Sequence, residues 1–166
     1  MSATLSYRET ADFFLLAMET CCRSSPLVPR ESVIRWIDNI VASTTVPQKW
    51  MLDLSISKNL DDILSILRKV PGKSQPFVAT SVFIAYLHRL WVHYKIECDR
   101  MCYVLFDCAD YVGPEHQNAA ANPDSVLSYC VTSDLAAAET QVEVDTAIEE
   151  FCQNFTAFRH LIPKGV

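Results

Sequence analysis

FVATSVFIAYLHRLWVHYKIECDRMCYVLFDCAD, residues 77 to 110, runs for 34 positions without a proline or glycine. At about 100° per residue, Thr80, Phe83, Ile84, Leu87, Trp91, Tyr94, Cys98, Met101, Cys102, Leu105 and Ala109 fall on one stripe, which predicts one long helix or two nearly collinear ones. At 1.5 Å per residue such a helix reaches roughly 50 Å, longer than a compact domain of this size, so a kink or a protruding end is expected. Val82, Tyr86, Val92, Ile96 and Tyr103 lie off the stripe. A helix apolar on more than one side belongs at the centre of a fold.

Helical patterns continue on both sides. Ser6 followed by Glu9 forms a capping box that opens an apolar pattern through Phe13, Phe14, Ala17 and Cys21, predicting a helix over about 7–23. Pro29 suits the first turn of a second helix with Val33, Ile34, Ile37, Ile40 and Val41 inward. WMLDLSIS, residues 50–57, alternates as a half-buried strand would, but nothing else in the chain offers it a partner strand, so a short helix is the preferred reading. Leu60–Lys69 fits a helix with Ile63, Leu64 and Leu67 inward, ended by VPGKSQP. Residues 111–123 read as a loop, Asn122 and Pro123 as the start of a short helix to about Thr132, and Ser133 or Asp134 as the start of a last helix to about Phe158. Its buried face is Ala137, Val144, Ile148, Phe151, Cys152 and Phe155. The expectation is an all-α fold: one domain over residues 1–166, with six or seven helices around a central helix at about 77–110.

Composition excludes several classes. Half of the 166 residues are hydrophobic and 20% are charged, as in an ordinary globular domain. The glycines are Gly72, Gly113 and Gly165, too far apart to build G-x-G-x-x-G, G-x-x-x-x-G-K-[ST] or G-x-S-x-G, which disfavours the common nucleotide-dependent enzymes and the serine-elbow hydrolases. The longest uncharged apolar-rich run, Pro76–Leu87, is shorter than the roughly 20 residues a membrane span requires. Glu9 and Asp12 interrupt the first apolar residues, unlike a secretory leader, so a cytoplasmic protein with reduced thiols is expected.

Cys98, Cys102 and Cys108 fall within eleven positions, yet on a helix Cys108 is rotated about 80° from Cys98 and about 120° from Cys102. No C-x-x-C pair occurs among the seven cysteines, nor E-x-x-H or H-E-x-x-H, so packed thiols and no metal or other cofactor are expected. Arg89, His93, Glu97 and Arg100 form a polar row at spacings of four, four and three. Such a row reads either as a solvated face or as a ligand site in which His93 acts as a base oriented by Glu97.

Charge is segregated. Residues 101–158 hold ten acids and no lysine or arginine, whereas residues 1–100 carry a net +2 and residues 159–166 another +2, against a chain total of −6. Glu139, Glu143 and Glu150 fall within about 40° on the last helix. This row reads either as a solvated face or as a docking surface for a basic protein. An acidic field repels nucleic acid, and glutamates on the polar face argue against membrane binding. The expected function is therefore a non-enzymatic, protein-binding or regulatory protein that meets a basic partner through its acidic C-terminal helices, in the manner of an immunity-type inhibitor by analogy. The alternative is a helical small-molecule-binding protein or enzyme with its polar site around His93. Trp36, Trp50 and Phe158 leave open a homo-oligomeric seam as well as a place in the core.

Overall fold

The structure is a computed structural model and describes residues 4–19, 26–109 and 138–166, without the side chains of residues 106, 107, 109, 138–141 and 143. The loop expected at 111–123, the short helix after it and the start of the last helix lie outside the described residues. The fold is all-helical, with no strand among the described residues. The chain divides into two compact units, residues 1–75 with 161–166, and residues 76–160.

The first unit contains α1 (Tyr7–Glu19), α2 (Arg30–Ser43), α3 (Lys49–Ser55) and α4 (Leu60–Arg68). The capping box is formed in both directions: the Ser6 amide donates to Glu9 Oε2 at 2.8 Å, and the Glu9 amide donates to Ser6 Oγ at 3.2 Å. WMLDLSIS is mostly helical, because only Met51 and Leu54 of its apolar residues are buried, whereas Leu52 and Ile56 face solvent. Asn59 caps α4 by accepting from the Asp62 amide, and Ile63, Leu64 and Leu67 turn inward as their spacing predicts. Helix α1 packs on α4, and α3 on both α2 and α4.

The C-terminal end of α4 is closed by a side chain from α1. Arg8 is 8% exposed, and its Nη1 lies 3.0–3.1 Å from the carbonyl oxygens of Leu67, Arg68 and Val70. Leu67 and Arg68 form the end of α4 and Val70 lies just beyond it, at the negative end of the helix dipole. Leu67 O also accepts from the Val70 amide at 3.3 Å, and the guanidinium adds donors and a positive charge at that end. Asp12, one turn on, accepts from Arg8 Nε at 2.9 Å and also pairs with its Nη2. Gly72 permits the chain to pass: its φ is +127°, and a Cβ there would stand 2.8 Å from Arg8 Cβ. An aromatic cluster lies in the same unit, where the Trp36 ring stands 5.3 Å from Phe14 and 6.5 Å from Trp50 between centroids.

The second unit contains α5 (Pro76–Val92), α6 (Cys98–Ala109), α7 (Ala138–Gln153) and the start of a 3-10 helix, Thr156–Leu161. Every residue of α5 from Ala79 to His88 is buried, the all-round burial expected of a central helix. Helices α6 and α7 both pack against it. Val144, Ile148, Phe151, Cys152 and Phe155 are buried as the periodicity of the last helix predicts. Phe158 meets Phe77 edge to face at 6.3 Å.

The expected irregularity within 77–110 is a complete break at residues 93–97. Its cause is a C-terminal cap of the Schellman type. The Lys95 amide donates to Leu90 O at 2.8 Å and the Tyr94 amide to Trp91 O at 3.0 Å. The motif places one residue in the left-handed region, usually glycine, and here that residue is Tyr94, at φ 54°.

Candidate functional site

The break opens a cleft of about 550 Å³ in the second unit, a size typical of ligand-binding clefts. Trp91 and Val92 from the end of α5, with Tyr94 and Ile96 from the connection, supply its apolar wall. Glu97, Cys98 at the start of α6, and Asp145 and Glu149 from α7 supply the polar one. Three carboxylates thus face an aromatic and aliphatic surface, and among the described residues no lysine or arginine lines the cleft. Cys98 Sγ stands 3.9 Å from Asp145 Oδ1. Among the described residues no group of His, Cys, Asp and Glu is arranged to hold a metal ion.

Behind the cleft, Glu149 is held by a histidine. His88 is 2% exposed, its Nε2 is 2.8 Å from Glu149 Oε2, and its Nδ1 is 2.8 Å from an Arg159 Nη. A guanidinium has only donors, so Nδ1 accepts and the ring proton sits on Nε2, where it is donated to the carboxylate. The bond to Arg159 therefore selects the tautomer that serves Glu149. Burial works to raise the Glu149 pKa, but the hydrogen bonds from His88 and Gln153 and the nearby positive charge of Arg159 outweigh it and hold the carboxyl below its ordinary value. Cys152, one turn along α7, is fully buried, and burial together with the Glu149 charge pushes its thiol pKa well up, so it packs as a hydrophobe and has no thiolate to offer as a nucleophile.

The break separates the polar row that the sequence places on one helix face. Arg89 remains in α5 with its guanidinium carbon 5.2 Å from the Tyr86 ring centroid, His93 is exposed just after α5, and Arg100 is half-buried in α6. Of the four, Glu97 lines the cleft. Glu150 is exposed on α7, while the side chains of Glu139 and Glu143 lie outside the described residues although their backbones are part of α7. Trp91, Tyr94, Asp145, Glu149 and the supporting His88 are absent from the sequence-based site. One signal was present: His88 is the only His, Lys, Arg, Asp or Glu in the buried run 79–88.

The left-handed residue makes a first prediction. Tyr94 is 96% exposed and gives up little packing when truncated. Tyr94→Gly should therefore stabilise the protein by about 0.5–1 kcal/mol, because relief of the left-handed conformation exceeds the extra chain entropy of glycine. Urea denaturation of the two proteins measures this, and a destabilised variant would contradict it.

No protein family, curated protein or solved structure matches the chain. No described helix is long and apolar enough to cross a membrane.

Proposed function

We propose that this chain is a protein-binding or regulatory protein that captures a basic partner through its acidic C-terminal helical region. The observation that carries this reading is the segregation of ten acids and no lysine or arginine into residues 101–158. Complementary potential speeds encounter and penalises partners of the same sign, so a surface of one charge acts as a selective dock. The exposed Glu150 and the three carboxylates of the cleft support it, since both lie on or beside α7.

The expected result of the triple change Glu139→Lys, Glu143→Lys and Glu150→Lys is loss of capture of basic proteins from a lysate by more than about tenfold, because each reversal replaces attraction with like-charge repulsion. Helical content by circular dichroism should be retained, since like charges at i,i+4 on the native helix already cost a few tenths of a kcal/mol. Capture that is equally strong for the reversed protein, or indifferent to salt, would rule out the acidic dock.

A further inference from the structure

We propose that the cleft between α5, α6 and α7 takes a single arginine side chain presented by a basic partner. This rests on the basic-partner reading and names the anchor it would use. At about 550 Å³ the cleft suits one long side chain and its immediate backbone better than a whole helix. Val92 and Ile96 offer apolar surface to an aliphatic stem, Trp91 and Tyr94 offer ring faces, and Glu97, Asp145 and Glu149 offer acceptors. A planar guanidinium uses both kinds of wall, stacking on aromatic rings and forking onto carboxylates, whereas an ammonium is a strongly hydrated point charge.

Two further features fit an anchor site. Glu149 is oriented from behind by the proton on His88 Nε2, so one acceptor is fixed before a ligand arrives. Tyr94 is held by two backbone hydrogen bonds in a conformation that its side chain disfavours, with its ring almost wholly exposed at the rim of the cleft. In the sequence the acidic excess extends well beyond the cleft residues, over 101–158, and charge complementarity with that stretch points to a side chain on a basic protein segment.

The test is a nuclear magnetic resonance titration of the full chain with hexa-arginine and hexa-lysine peptides at low salt. Hexa-arginine should bind several-fold more tightly and shift the amides of residues 91–98 and 145–149. Tyr94→Gly should weaken hexa-arginine by about two- to fivefold, the range expected for one lost cation–π contact at an exposed ring. Since that variant is expected to fold at least as stably, its loss of binding would not reflect misfolding. The triple reversal at Glu139, Glu143 and Glu150 should weaken both peptides while preserving their ratio. Equal affinity for the two peptides, unshifted amides at 91–98, or an unaffected Tyr94→Gly would overturn the arginine anchor. So would free arginine amide saturating the cleft as tightly as the peptide, because the occupant would then be a small cation. The basic-partner reading falls separately, if the triple reversal leaves lysate capture unchanged.

Discussion

Replacing Arg8 with leucine should destabilise the first unit by about 3–5 kcal/mol, the cost of removing one partner from a buried charged network. The groups that the guanidinium leaves behind set the cost. The carbonyls of Leu67, Arg68 and Val70 lose the donor Nη1 that lies 3.0–3.1 Å from them, and Asp12 keeps its charge in a largely buried place. Leucine brings apolar surface but no donor, so the last turn of α4 should open. Arg8→Lys should recover only part of the loss, because one ammonium cannot serve the carbonyls from one nitrogen and Asp12 from two others. Arg8→Leu combined with Asp12→Leu should be less damaged than Arg8→Leu alone, since the stranded carboxylate is removed as well. Denaturant midpoints with amide hydrogen exchange in α4 measure all three. A loss below about 1 kcal/mol for Arg8→Leu would show that water replaces the guanidinium, contrary to the burial seen here.

Phe83→Ala should cost the second unit about 3–5 kcal/mol, through lost burial and the cavity left in a helix that is enclosed on every side. Phe83 is fully buried and stacks on Tyr86 with ring centroids 6.5 Å apart. Tyr103 in α6 is 68% exposed, and Tyr103→Ala should change stability by no more than about 0.5 kcal/mol. The two aromatic residues come from the same proline-free and glycine-free stretch, so the contrast tests burial directly. Amide exchange along α5 reads the loss at residue level. Comparable effects from the two changes would mean that α5 is not the centre of its unit.

Much of the helical framework was legible because it depends on neighbours three and four residues apart. Ser6 and Glu9, the inward Ile63, Leu64 and Leu67, and the buried face of α7 are all local patterns that tertiary packing merely completes. The break at 93–97 was not legible, because its usual mark is a glycine and the position is filled by Tyr94. Periodicity therefore carried the stripe straight through, placing exposed Tyr94 with the core and aligning four polar residues that the fold separates. The cleft was hidden for a different reason. Glu97 was among the candidates, but its companions Asp145 and Glu149 come from a helix almost fifty positions later, and no spacing rule joins them. His88 is not a site residue by sequence spacing, because its partners are an acid and an arginine on elements far away in sequence.

The division of the tryptophans gives the unlabelled protein two optical channels. Trp36 and Trp50 lie close enough for their transitions to couple, so near-ultraviolet circular dichroism should report on the first unit, while Trp91 lines the cleft of the second. Emission from Trp91, isolated by replacing the other two with phenylalanine, should respond when a guanidinium enters. The order in which the two signals are lost on heating would then show which unit melts first, with no dye attached.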